Sequence, residues 1–581
     1  MAYLDLFRRM WTIAAGSRHL ILSFYALHIL ATICELLYPF VFLKIVNAVQ
    51  LEAKENIIPV VVYWLLVWGL LFFAFNLFHR IGRYIEFHVA YRAKQRFIRT
   101  SYDTLLRQPV AWHQSHHSGD IINRINISSL ALFSFITMQF VYIEFAVMFL
   151  GSLIALYLFI PEISLGALVM ATVALLLIRY FDGRLARWYR TINTVSHRIS
   201  STLLDLLPKV LTIIAYRAAS YTGERLERSL GQGYAPTMRA NGIVNAAKWF
   251  CVTMLMTTMQ ILSVLYYIAS ELSRNGAVLA GNVTAVYQYV DRFTNTFRSF
   301  SQEYQKIIQW NIDMEALSDL RNDSVNTDEH VNSRSFHTVA IEGLKFTRDT
   351  QHSSLMCSLS FESGQKIALV GESGCGKSSL LLLLAGIHTP DTVKVTIDGD
   401  QHDNLAVLSS MALLVPQNPE VFEDTIQENI LLGAVNDLGD LERALSYSTF
   451  DEVLLRQPEG LKAEMRENGS SLSGGQKQRL ALARGVFYAP AFEIMMMDEP
   501  TSSVDAANEL KIYERILSGF PNKTFLVATH NIELTRLFDK IIVMDKGRIV
   551  DIGSYSEVSE NSEVFRRLKD GKSPTESHVL L

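Results

Sequence analysis

Gly371-Glu372-Ser373-Gly374-Cys375-Gly376-Lys377-Ser378 decides how the second half of this 581-residue chain is read. It follows the apolar strand candidate Ile367 to Val370, and the run Ser379 to Ala385 can continue it as a helix. Glycines let backbone amides curl around phosphate oxygens, and a helix starting there points its positive end at the same anion. Gly371, Ser373, Gly374, Cys375, Gly376, Lys377, Ser378 and Ser379 are therefore the expected ATP-binding loop. Lys377 would neutralise the β and γ phosphates, and the Ser378 hydroxyl would ligate Mg²⁺. An ordinary glycine-containing loop is the alternative, and the flanking strand and helix argue against it.

Downstream, Phe492 to Met497 is an apolar strand candidate ending in Asp498 and Glu499. A buried strand delivers both carboxylates to the edge of a parallel sheet, where ligands bind. Asp498 would hold Mg²⁺, directly or through water, and Glu499 would polarise an attacking water. An apolar run ending in Asp-Glu says little alone; with the phosphate loop it says much more.

Between these motifs lies Leu472-Ser473-Gly474-Gly475-Gln476, leading into Lys477-Gln478-Arg479. By itself it is another glycine-bearing helix start suited to an anion. It also matches the signature of ABC ATPases, which this half of the chain resembles. The resemblance implies that Ser473, Gly474, Gly475 and Gln476 bind the γ-phosphate of ATP held by a partner subunit. One phosphate loop and one signature per chain then imply a dimer with two ATP molecules at its interface, and a homodimer is expected because the catalytic set has no degenerate member. Gln417, in Val415-Pro416-Gln417, resembles the family's Q-loop residue, which senses Mg²⁺ and couples to the membrane domain. Ser502-Ser503-Val504-Asp505 resembles the D-loop, with Asp505 at the dimer contact. His530, after the β-rich run Thr524 to Ala528, resembles the switch histidine on the γ-phosphate; an ordinary polar residue at a strand end is the alternative. One position departs from the pattern: Phe346-Thr347-Arg348 puts Arg348 where the family usually stacks an aromatic ring on adenine, and a guanidinium plane can also stack on a base.

The first half is of another kind. Of the whole chain 50% of residues are hydrophobic and 11% aromatic, which fits a protein with much of its surface in lipid. A formal net charge of −4 gives no bias towards nucleic acid. Cys34, Cys251, Cys357 and Cys375 lack metal-ligand or disulfide-framework spacing. Met1 to Ser17 reads as a membrane-surface helix and not as a removed signal. Apolar stretches at about His19 to Val46, Ile57 to Phe78, Leu130 to Gly151, Ile163 to Tyr180, Trp249 to Ser270 and Gly276 to Phe297 predict six membrane spans, with a tight turn at Pro161 and Glu162.

Basic residues crowd the connections between the second and third spans and between the fourth and fifth, so both termini are expected in the cytoplasm. These connections have few breakers, which predicts spans continuing as helices beyond the bilayer; solvated loops are the alternative. Ionisable groups within spans default to functional hypotheses. Glu35, Lys44, Glu144, Asp291 and Arg292 qualify, and Gln288, Asp291 and Asn295 on one helix face are the expected lining of a substrate cavity. A structural ion pair, or a span placed too far along the chain, explains the same residues.

This half resembles ABC exporters less specifically. Gly119-Asp120-Ile121-Ile122-Asn123-Arg124 and Leu203 to Tyr216 occupy the family's two cytoplasmic tips, and Glu467-Asn468-Gly469 resembles the exporter element that touches them. The expected architecture is an all-α six-helix membrane domain (1–312), a linker (313–336) and an α/β phosphate-loop ATPase domain with a C-terminal tail (337–581). The implied function is ATP-driven export, or leaflet-to-leaflet translocation, of an amphipathic lipid, drug or peptide. It would use ATP and Mg²⁺, pair with a second half-transporter in contact with membrane lipid, and sit as a multi-pass protein in the plasma (bacterial inner) membrane with its ATPase domain in the cytoplasm. An ABC-type nucleotide-gated regulator or channel subunit is the rival.

Overall fold

The computed structural model describes residues 2–116, 118–231, 234–315, 335–347, 354–435, 438–465 and 472–570. The chain divides into two compact units, Met1–Gln108 with Trp112–Val325, and Pro109–Ala111 with Asn326–Leu581. Most of the expected linker, residues 316–334, lies outside the described residues, as do Arg348 and Glu467-Asn468-Gly469.

The first unit is helical: α1 (Ala2–Ile13), α2 (Arg18–Leu36), α3 (Tyr38–Leu51), α4 (Lys54–Leu106), α5 (Val110–Ser115), α6 (Ser118–Thr137), α7 (Gln139–Phe159), α8 (Pro161–Leu206), α9 (Val210–Ala215), α10 (Ala219–Gly231), α11 (Tyr234–Asn275) and α12 (Ala280–Glu315). With 53 residues, α4 is about 80 Å long, more than twice the roughly 30 Å hydrocarbon core. The spans do continue as helices, as their scarcity of breakers predicts. Two expected single spans are each interrupted. Pro39 starts α3 afresh one residue after α2 ends, because proline suits a first helical turn and cannot serve the one before it. Met138, with φ −104° and ψ 4°, separates α6 from α7. The turn before Pro161 is a single extended residue, Ile160.

Among the described residues, five stretches are long and apolar enough to cross a membrane: Ala15–Leu51, Lys54–Leu106, Ser118–Phe159, Pro161–Phe181 and Gly242–Asn275. The sixth expected span falls in α12, whose Gln288, Asp291, Arg292 and Asn295 dilute its apolar character. This helix gains its place by packing along α3, α7 and α11. The N-terminal helix packs one face against the bundle. Leu6 and Met10, one turn apart, are fully buried in a cluster with Phe24, Phe135 and Ile307. Arg9 donates to the Met314 carbonyl at 2.9 Å. Leu6 and Met10 thus give α1 a buried stripe within the helical unit.

The second unit holds two sheets. Strands β1 (Thr338–Thr347), β2 (Ser354–Glu362), β4 (Thr392–Ile397) and β5 (Asp400–His402) form an antiparallel sheet in the order β2-β1-β4-β5. The other sheet adds β3 (Lys366–Gly371), β6 (Ala412–Val415), β7 (Ile494–Asp498), β8 (Thr524–Ala528), β9 (Lys540–Asp545) and β10 (Arg548–Gly553), in the order β10-β9-β3-β8-β7-β6. Its strands run parallel except for β10. Every residue of β3, β7 and β8 is buried, which is why these strands read as unbroken apolar runs and not as alternation. The register sets Leu369, Ala528 and Asp498 side by side across β3, β8 and β7. One sheet edge thereby receives the phosphate loop, the Asp-Glu pair and the His530 turn.

Candidate functional site

The phosphate loop leaves β3 at Gly371 and enters the helix Lys377–Leu384. Gly376 stands at its N-cap with φ 108°, a left-handed backbone that side chains other than glycine rarely tolerate. Lys377 is buried, and its Nζ donates to the carbonyls of Gly371 at 2.8 Å and Glu372 at 3.2 Å, so the amine lies across the loop. Ser379 occupies the first turn of the helix, and Ser373 and Gly374 are exposed at the tip. Cys375 faces the core, and burial pushes its thiol above the usual range, so it behaves as a packing residue.

Asp498 closes β7, and Glu499 follows with φ 46°. That left-handed turn is uncommon for glutamate and occurs here where two partners hold the carboxylate. Gln417 Nε2 donates to Glu499 Oε2 at 2.6 Å, and His530 Nε2 pairs with Oε1. Beside them, Ser378 Oγ donates to Asp498 Oδ1 at 3.0 Å. Burial raises the Asp498 carboxyl above its ordinary value, and the Ser378 hydrogen bond works against that rise. Ser378 and Asp498 present hard oxygen donors close together, a set that fits Mg²⁺. A bound Mg²⁺ would neutralise phosphate charge at this edge.

The signature opens the helix Gly474–Tyr488. Ser473 and Gln476 form a reciprocal capping box, Gln476 N to Ser473 Oγ at 3.3 Å and Ser473 N to Gln476 Oε1 at 2.8 Å. A Cβ on Gly475 would sit 2.4 Å from the Ser503 carbonyl oxygen, so only glycine lets the 502–505 segment pass this close. Gln478, which motif reading leaves as a bystander, is buried. It donates to Ser502 Oγ at 2.8 Å and accepts from Ser503 N at 2.8 Å. Its position one turn into the signature helix was its available signal. Asp505 caps the helix Ala506–Gly519 by accepting from Asn508 N at 3.0 Å, a task inside its own chain.

Within the helical unit, Gln288, Asp291 and Asn295 line one cavity of about 350 Å³, together with Glu35, Glu144 and Arg292. The ion-pair alternative applies to Arg292, whose NH1 lies 3.3 Å from Glu35 Oε1. Asp291 instead receives neutral donors, Gln260 Nε2 at 3.2 Å and Asn295 Nδ2 at 2.9 Å. Lys44 is exposed on α3, beside the Phe40 ring.

Two family models match along the chain: ABC transporter transmembrane region over residues 21–297 and ABC transporter over residues 356–502. The chain belongs to the ABC transporter superfamily. Among curated relatives of this ABC transporter, an ATP-dependent lipid A-core flippase of Vibrio vulnificus is 26% identical over 518 residues, 87% of each chain. The mitochondrial iron-sulfur clusters transporter ATM1 of Kluyveromyces lactis is 24% identical over 584 residues, 96% of this chain and 79% of its own. A bacterial Atm1-family ABC exporter solved with ATP bound superposes with a TM-score of 0.86 at 20% identity, covering 96% of this chain and 99% of that one. At that identity the likeness is one of fold. The ABC transporter is thus an exporter-type membrane domain fused to a nucleotide-binding domain, and a multi-pass membrane protein.

Proposed function

We propose that the chain is one half of an ATP-driven exporter that hydrolyses ATP and moves an amphipathic substrate across a membrane or between its leaflets. Two copies clamp two ATP molecules between phosphate loop and signature. Contacts made in the closed pair supply the differential affinity that shifts the membrane domain between its states. The nucleotide-binding domain and both termini lie in the cytoplasm, on the charge asymmetry of the connections. The observation that carries the reading is Glu499, held between Gln417 and His530 at the sheet edge that also carries Lys377, Ser378 and Asp498. A regulator that used ATP as a switch would have no need of a carboxylate oriented this way. Glu499→Gln should lower ATP turnover by about 10²- to 10⁴-fold while ATP still binds and the paired state accumulates. Unchanged turnover, or a chain that stays monomeric with ATP and Mg²⁺ in that variant, would count against the reading. ATP-dependent uptake into inside-out vesicles fixes the direction of transport.

A further inference from the structure

The polar cavity at α7 and α12 has an apolar neighbour of about 570 Å³, and both share Phe145 and Thr296 as walls. Each falls within the range that encloses a small organic ligand, roughly 300–1,000 Å³. Their chemistry is opposite. Aromatic rings of Phe145, Phe149 and Phe297 dominate the apolar chamber. In the polar chamber, Glu35, Glu144 and Asp291 face Arg292 as the one cation among its described lining residues.

That guanidinium is already committed, to Glu35 at 3.3 Å and to the Met148 sulfur at 3.7 Å. Asp291, among the described residues, receives hydrogen bonds from neutral amide donors alone. Among the described residues, no hydrogen bond or ion pair reaches Glu144, which is half-buried on a membrane span. A carboxylate in such a place is costly, and in this chamber one guanidinium is shared among three carboxylates. An anion entering the chamber would raise that cost, and a cation would relieve it. Aromatic faces beside the carboxylates add a second attraction for a diffuse positive charge.

Resting on the export reading, we infer that the substrate is an amphipathic cation, its charge between Glu144 and Asp291 and its apolar body among Phe145, Phe149 and Phe297. The probe pair is tetraphenylphosphonium and tetraphenylborate, which share shape and differ in sign. The full chain in lipid nanodiscs is titrated with each by calorimetry, without nucleotide, against empty nanodiscs. The phosphonium should bind saturably above the lipid background, and the borate should not. Glu144→Gln and Asp291→Asn should each weaken phosphonium binding by about tenfold or more, whereas Glu55→Gln, an exposed carboxylate at the start of α4, should leave it unchanged. Borate binding as tight as phosphonium, phosphonium binding no better than to empty nanodiscs, or full affinity in both cavity variants would overturn the assignment. Two separate carboxylates are tested so that a folding defect in one variant leaves the other to decide. With no nucleotide present, a chain that discriminates the two ions but never transports loses the export reading and keeps the cation-binding site alone. A chain that exports some other compound and ignores the sign of charge does the reverse.

Discussion

The buried carboxylate of Glu86, on α4, accepts the backbone amide of Phe140 at 3.0 Å. Phe140 lies in the first turn of α7, where no intrahelical acceptor exists for that N–H. One turn before Glu86, Arg83 donates to the Thr137 carbonyl at 2.6 Å and stacks over the Phe140 ring, its guanidinium 4.1 Å from the centroid. It also pairs with Glu86 itself. The two residues together satisfy both sides of the α6–α7 break. Glu86→Ala leaves an orphan amide at Phe140 and takes from Arg83 its carboxylate partner, and should cost about 1–3 kcal/mol. Glu86→Gln keeps an acceptor for Phe140 and should cost less. Thermal unfolding in detergent, followed by tryptophan fluorescence, ranks the two; equal melting points would refute the clasp.

Gly475 tests the approach of signature and D-loop. A methyl group there would meet the Ser503 carbonyl oxygen at 2.4 Å, and backbone cannot swing aside as a flexible side chain can. Gly475→Ala should therefore displace the 502–505 segment and reduce ATPase activity by about a hundredfold, the usual effect of an ångström-scale misplacement. Nucleotide binding at the phosphate loop should survive, as read by a fluorescent ATP analogue. Near-normal turnover would show that the segment has another route past the helix.

Gln478 serves the same neighbourhood through its amide. Replacing it by Leu removes both hydrogen bonds to Ser502 and Ser503 while keeping bulk, and leaves the Ser503 amide unsatisfied at a cost of roughly 1–3 kcal/mol. The expected signature is a fall in kcat with little change in KM for ATP, because the phosphate loop is not touched. Equal losses in both parameters would place the residue's effect elsewhere.

Asp505 separates a cap from a charged interface contact. Asn is as good a helix cap as Asp, so Asp505→Asn preserves the acceptor for Asn508 N and should keep ATPase activity within about twofold, whereas Asp505→Ala should lose much of it. If Asn fails as badly as Ala, the negative charge itself is needed, as it would be in a contact with a second subunit.

How much of this was legible depends on where each signal resides. The phosphate loop, Asp498, Glu499 and the signature are local in sequence, and buried parallel strands announce themselves as apolar runs, so β3, β7 and β8 were placed to within a residue or two. Long helices were legible from the lack of breakers. The interruption at Met138 was not, because the pair that permits it, Arg83 and Glu86, lies some fifty residues earlier; Arg83 reads from sequence as one more basic residue in a connection. The burial of Leu6 and Met10 was not legible, because the bundle surface that covers them is built from residues of α2, α4, α6 and α12, distant in sequence. The polar character of α12 made it the weakest of the expected spans, and only its packing against α3, α7 and α11 accounts for its position.

The single residue Ile160 between α7 and α8 restricts how the bundle can rearrange. One extended residue reaches about 3.5 Å, too little slack for the two helices to slide lengthwise past one another, and Ser164 Oγ further ties the start of α8 to the Leu153 carbonyl at 3.1 Å. Relative motion of the two helices is therefore left to pivoting about Ile160, and the end of α7 from Leu153 onward stays with the start of α8.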